Sequence, residues 1–132
     1  MTLADTSAWV EYLRATGSDV HLRMRALLER DQLATTDVVL MEVLVGASDA
    51  DHRDRLKRLL LRCDFVATKG PHDYEDAAEI ARACRRGGAA VRGLTDCLIA
   101  SVAIRARLPV LHLDTDFERI ARHTQLRLAD VP

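Results

Sequence analysis

The sequence predicts an α/β fold: three layers, α/β/α, around a central, mostly parallel sheet of four to five strands. Three observations lead there. Short apolar runs alternate along the chain with longer stretches of helical periodicity, the pattern of strands joined by helical crossovers. Capping residues, glycines and prolines fall at the junctions between them. The apolar runs are also followed closely by acidic residues, as expected where the carboxyl ends of parallel strands form a ligand-binding rim.

The elements follow in order. Residues 2–5 read as a short buried strand, and Thr6 or Ser7 caps a helix over 8–15 with Trp9, Val10 and Leu13 on one face, closed by Gly17. Asp19 caps a second helix carrying Leu22, Ala26 and Leu27, and 32–35 is a second strand. Thr35-Thr36-Asp37 starts a helix that carries Glu42 and stops near Gly46. A charged helix over 50–63 has Leu56, Leu59 and Leu60 as its stripe, and 64–68 is a third strand. Pro71 sits in the first turn of a helix reaching Arg86, and Gly87, Gly88 and Gly93 belong to a loop. Thr95 caps a helix over 96–106; a strand over 110–113, a helix over 116–122 and an edge strand over 126–128 complete a single domain, 1–132.

Bulk properties exclude several function classes. A net charge of −1 gives no global basic field for nucleic acid. No apolar run approaches the roughly 18 residues of a membrane span, and no basic segment precedes Leu3, so the expected location is the cytoplasm. Cys63, Cys84 and Cys97 are odd in number and lack a Cys-x-x-Cys pattern, as expected of buried, reduced thiols. Lys57 and Lys69 are the only lysines among 19 basic residues. The resulting arginine bias suits bidentate phosphate contacts and equally reflects GC-rich coding.

Five carboxylates stand out against this background. Asp5 follows the first strand, Glu42 interrupts the apolar segment 38–45, Asp96 opens an apolar helix, and Asp114 and Asp116 follow the strand over 110–113. Singly, each has an ordinary structural explanation as a cap, an Asx turn or a helix-dipole acid; Asp116 in particular reads as a cap of the last helix. Together they converge on one rim of the sheet, where mutual repulsion and burial raise their cost. Divalent cations relieve both. An oxygen-only set without a His/Cys cluster favours Mg²⁺ or Mn²⁺ over Zn²⁺, with His112 most simply a strand residue. Two such ions can activate water and stabilise the leaving oxygen of a phosphodiester.

The segments Asp5-Thr-Ser-Ala-Trp-Val, Met41-Glu-Val-Leu-Val-Gly, Leu94-Thr-Asp-Cys-Leu-Ile-Ala and Leu113-Asp-Thr-Asp-Phe-Glu-Arg-Ile-Ala resemble, in order, the four signature blocks of PIN-domain proteins. Within that superfamily the chain resembles VapC toxins of type II toxin–antitoxin systems. The resemblance implies a PIN-like fold and a Mg²⁺- or Mn²⁺-dependent endoribonuclease with two ions per site. Asp5, Glu42, Asp96, Asp114 and Asp116 would be its catalytic, metal-binding acids, and Ser7 would support them by hydrogen bonding. It also implies an RNA substrate, a homodimer, and silencing by a VapB-like antitoxin in a heterotetramer or larger assembly. Arg14, Arg85, Arg86 and Arg92 are candidate phosphate contacts and Trp9 a candidate base-stacking residue, although core packing explains Trp9 more simply. His112 stands where the last block often has Thr.

Other readings are weaker. A phosphotransfer receiver needs a lysine at the end of a late strand, where neither Lys57 nor Lys69 lies. A haloacid-dehalogenase phosphatase needs more chain than the sixteen residues after Asp116. A non-catalytic, protein-binding PIN-like module is the alternative, although such modules commonly lose acids that this chain keeps. Apolar stripes on the helices over 8–15, 20–30 and 50–62 offer a surface for an amphipathic partner or for dimerisation.

Overall fold

The structure, a computed structural model, describes residues 1–131. Four short strands, β1 (Thr2–Ala4), β2 (Leu33–Thr35), β3 (Asp64–Phe65) and β4 (Val110–Leu111), form one sheet in the order β3-β2-β1-β4. Every pairing is parallel, with Leu3 opposite both Ala34 and Val110. Seven helices surround it: α1 (Thr6–Leu13), α2 (Asp19–Glu29), α3 (Asp37–Val45), α4 (Ala50–Leu61), α5 (His72–Arg86), α6 (Leu94–Ala106) and α7 (Thr115–His123).

The strand order decides where a site can form. Two crossovers, α1–α2 and α3–α4, carry the chain outward from β1 to β2 and β3. The third, α5–α6, returns it across β1 to β4. Right-handed crossovers in opposite directions place the two helix sets on opposite faces, which gives the three layers. They also leave a crevice between β1 and β4, where the order reverses and ligands bind in open sheets.

The strands are fully buried except β3, whose two residues are both exposed at the sheet edge. β3 is shorter than the expected 64–68, although Val66 still donates its N–H to Thr35 O at 2.8 Å. The expected strand over 126–128 is reduced to a single parallel bridge, Val110–Leu128. The core joins Leu3, Trp9, Met24, Leu33, Leu60, Ile99, Leu111, Phe117 and Ile120. Trp9 is completely buried within it. Its ring has no face open to a nucleobase, so the stacking role does not hold.

Several helix starts differ from expectation because the cap lies one or more residues earlier. Asp5, not Thr6 or Ser7, caps α1, and Ser18, not Asp19, caps α2. Gly93 precedes α6, which leaves Thr95 inside the helix, and Asp114, not Asp116, caps α7. In α1, α2 and α7 the earlier residue is an acid or hydroxyl whose side chain accepts a first-turn N–H, which favours the longer helix.

One buried ion pair ties the start of α5 to α6, and its backbone hydrogen bonds gather in the loop after β3. Asp73 is fully buried and receives Arg105 Nε at 2.9 Å and Nη2 at 2.8 Å. Arg105 Nη2 also donates to Ala67 O, Lys69 N to the Asp73 carboxylate, and Ser101 Oγ to Asp73 O. The Arg105 hydrogen bonds hold the Asp73 carboxyl below its usual range. At the far end of α5, a Cβ on Gly87 would overlap the His123 ring of α7.

Two outcomes follow for stability. Arg105→Met strands a buried carboxylate and should lower unfolding free energy by about 3 kcal/mol in urea titrations. Because the Asp73 pKa is lowered on folding, its contribution is present above the ordinary Asp value of 3.8 and is lost as pH falls through the lower folded value. In Arg105→Met this acid-side loss should shrink. Gly87→Ala should cost about 1–3 kcal/mol by overpacking, and His123→Ala in the same chain should recover most of it.

Candidate active site

The rim is built from the ends of β1 and β4 and the first turns of α1, α6 and α7. Asp5 leaves β1 with φ −70° and ψ 162°, and its Oδ2 accepts Ser7 N at 3.0 Å and Ser7 Oγ at 2.6 Å. Ser7 Oγ also accepts the Leu113 N–H at 2.9 Å, so this hydroxyl joins the end of β1 to the segment after β4. Asp5 is only 3% exposed, and its Oδ1 is buried without a hydrogen-bond partner. Burial raises the Asp5 pKa, the Ser7 and Thr6 hydrogen bonds counter that rise, and nearby Asp114 adds to it.

Glu42 enters from α3. Its neighbours Val38, Val39 and Val43 pack into the core, and Thr6 Oγ1 donates to Glu42 Oε1 at 2.8 Å. Burial, then the charge of Asp5, raises its pKa against that hydrogen bond. Asp96 lies in the first turn of α6, ahead of the buried run Cys97–Ala103. Its carboxylate has no hydrogen-bond or ion-pair partner among the described residues. Burial and then the charges of Asp5, Asp114, Asp116 and Glu42 push its pKa up to about 8. Of the five predicted acids, Asp96, Asp114 and Asp116 bring oxygens within 4.8 Å of one another, and Asp5 and Glu42 lie near enough for their charges to act on Asp96.

The last two acids have different surroundings. Asp114 caps α7, its Oδ1 accepting Asp116 N at 2.9 Å, while its own N–H donates to His112 Nδ1 at 3.1 Å. His112 packs against Phe117, with ring centroids 5.3 Å apart. Asp116 is 2% exposed and has a partner on each oxygen: Arg119 Nη1 on Oδ1 at 2.6 Å, and Arg92 N on Oδ2 at 3.1 Å. The Arg92 guanidinium lies 3.9 Å from both Asp114 and Asp116, with its side chain largely in solvent.

The remaining arginines separate by position. Arg14, at the end of α1, borders a groove with Thr6, Val10, Leu13, Glu42 and Leu56. Arg85 and Arg86 end α5 and make no ion pair among the described residues; Arg86 borders a different cavity, between α5, α6 and α7. Two polar contacts were not anticipated from the sequence. The Thr6–Glu42 bond joins residues 36 apart and has no local signal. Arg119 does have one, because three residues after Asp116 on a helix is salt-bridge spacing.

The donor set can be tested against a cation by asking which oxygens are free. Asp5 Oδ1, Glu42 Oε2, both Asp96 oxygens and Asp114 Oδ2 have no hydrogen-bond partner among the described residues. All are carboxylate oxygens, and at Asp5, Glu42 and Asp96 burial and repulsion both disfavour ionisation. Such a set fits a hard divalent ion, which would satisfy the buried Asp5 oxygen and offset the repulsion.

Known proteins agree with this architecture. The family model of the PIN domain matches residues 2–123. VapC ribonuclease Mb1587 of Mycobacterium bovis is 44% identical over 131 residues, covering 98% of each chain. Ribonuclease VapC11 of Mycobacterium tuberculosis matches to the same extent. The fold is shared with FitAcB from Neisseria gonorrhoeae (TM-score 0.76, 19% identity, covering 98% of this chain and 97% of that one). It is also shared with VapBC2 from Rickettsia felis bound to a promoter DNA fragment (TM-score 0.73, 18% identity, 99% and 98%). The sequence blocks, the parallel sheet with its acidic switch point, and near full-length identity to VapC ribonucleases establish that the chain belongs to the PIN-domain family, among the VapC proteins.

Proposed function

We propose that the protein is a Mg²⁺- or Mn²⁺-dependent endoribonuclease toxin that hydrolyses RNA phosphodiesters and is neutralised by a VapB-type antitoxin. The observation that carries the metal requirement is the buried, unpartnered Asp5 Oδ1 inside a set of mutually repelling carboxylates. The 44% identity to VapC ribonucleases supports the reaction class. Three buried free cysteines suit a reducing cytoplasm.

In this reading Asp5, Glu42, Asp96 and Asp114 hold the cation through their free oxygens, with Asp116 beside them, and the total charge suits two ions. Bound there, the cation would supply Lewis-acid stabilisation of charge developing on the phosphodiester oxygens. The protein supplies the orientation. Ser7 fixes the Asp5 carboxylate through Oδ2 and leaves Oδ1 without a partner, and Thr6 holds Glu42 through Oε1 and leaves Oε2 free. Arg92 stands at the mouth, where its exposed guanidinium can meet a phosphate oxygen and lessen repulsion between RNA and the acidic centre. Arg14 occupies the corresponding place on the Glu42 side. Arg85 and Arg86 have no such support.

The antitoxin surface is proposed along the groove between α1, α3 and α4. Leu27, Leu56 and Leu60 are consumed by the core and Leu22 stays exposed on α2, while Leu13, Met41 and Val45 remain exposed around this groove or on the same helices. An amphipathic segment lying there would bring a basic side chain to Glu42. Solved VapBC structures share this fold, which supports a VapB-type partner; a dimeric toxin in a heterotetramer or larger complex is part of the same proposal.

Purified protein should cleave RNA with Mg²⁺ or Mn²⁺ and stop with EDTA. Asp96→Asn should lose more than about 100-fold, whereas Ser7→Ala and Thr6→Val, which orient ligands, should lose about 10–100-fold. Cleavage by Asp96→Asn at the normal rate would exclude the site; folded protein that cleaves no cellular RNA with either metal would favour a binding module. Stability gives an independent check. The Asp96 pKa is raised on folding, so in EDTA its contribution is complete below the ordinary value of 3.8 and is lost as pH rises through about 8. Melting temperature in EDTA should therefore fall across that window, less steeply in Asp96→Asn, and Mn²⁺ should reverse the fall.

A further inference from the structure

Arg119 makes a 2.6 Å ion pair with Asp116, yet its own side chain is 36% exposed while the carboxylate is 2% exposed. Asp116 oxygens lie within 4.8 Å of those of Asp96 and Asp114, close enough to share an ion with them. Both Asp116 oxygens are nevertheless occupied, one by the Arg119 guanidinium and the other by Arg92 N. Asp5, Glu42, Asp96 and Asp114 each keep a free oxygen, so Asp116 differs from the other four. Asp116 lies in the first turn of α7 and Arg119 three residues further on, so the helix itself keeps Arg119 at hand.

We propose that Arg119 is a positioning residue that acts as an internal counter-ion, holding the Asp116 carboxylate against divalent cations and setting how tightly the centre binds them. The inference rests on the metal-site reading above. A fixed positive charge on Asp116 does two things. It lessens repulsion in the metal-free centre, and it must be displaced, or Asp116 left out, when a cation enters. The exposed side of Arg119 gives it room to move away. Arg92 is the weaker counter-ion, because its largely exposed guanidinium stands 3.9 Å from Asp116 and only its backbone is hydrogen-bonded there.

Calorimetric titration of the full-length protein with Mn²⁺ tests this without reference to activity. Arg119→Met should bind Mn²⁺ at least about fivefold more tightly than wild type, and Arg119→Lys should stay within about twofold of it. Arg119→Gln, which keeps a donor without the charge, should also tighten binding and serves if the Met variant does not fold. Arg122→Met removes a charge from the same helix and should change affinity by less than about twofold. On an Asp116→Asn background, Arg119→Met should gain less than about twofold. Unchanged or weaker binding by Arg119→Met and Arg119→Gln, an equal gain from Arg122→Met, or a full gain without Asp116 would each overturn the proposal. Wild-type protein that binds no Mn²⁺ would overturn the metal site itself, a separate failure.

Discussion

Asp5 carries a carboxylate oxygen buried without a partner, and the rest of the rim is arranged around that unsatisfied charge. An ionised carboxylate in such a place is among the most unfavourable features a small domain can hold. Here it is joined by Glu42 and Asp96, both with raised pKa values for the same first cause, burial. The hydrogen bonds from Ser7 and Thr6 satisfy one oxygen on each of two acids and leave the other without a partner. The centre is thus strained in charge but well ordered in geometry, as a preorganised cation site requires.

The scaffold keeps these charges from separating. Asp5 and Asp114 are fixed by backbone, since each caps the helix that follows its strand. Asp96 depends on α6, and α6 is anchored at its other end by the Asp73–Arg105 pair with its bonds to Ala67 and Lys69. Ser7 joins β1 to the segment after β4 across the point where the strand order reverses. Behind the site the Asp73 carboxylate is hydrogen-bonded on both oxygens, while the rim gathers carboxylates that repel one another. That division is common where function needs groups that folding alone would avoid.

The main outline was legible because it depends on strong local signals. Apolar runs with capped helices between them predicted the parallel sheet, and acids just beyond strand ends predicted the shared rim. Helix starts were misplaced by one or two residues: at Asp5, Ser18 and Asp114 the start is set by which side chain reaches a free N–H, and at Gly93 no side chain caps the helix. The 126–128 strand shrank to a bridge because a segment at the sheet edge has only β4 to pair with. Trp9 was ambiguous in sequence, as an aromatic side chain suits either a base or a core, and only burial decided it. Thr6–Glu42 was invisible because 36 residues separate the partners. Arg119 was legible in principle from its i,i+3 spacing, but nothing local distinguishes a partner for a site acid from an ordinary surface pair.

The central claim is that the carboxylates of Asp5, Glu42, Asp96 and Asp114 exist together because they share a divalent cation. Anomalous scattering from crystals grown with Mn²⁺ tests it most directly. The account predicts a peak at coordination distance, about 2.0–2.3 Å, from an oxygen of Asp96 and of at least one of Asp5 and Asp114. A well-ordered rim with no peak there, or a peak bound only elsewhere on the surface, would contradict it.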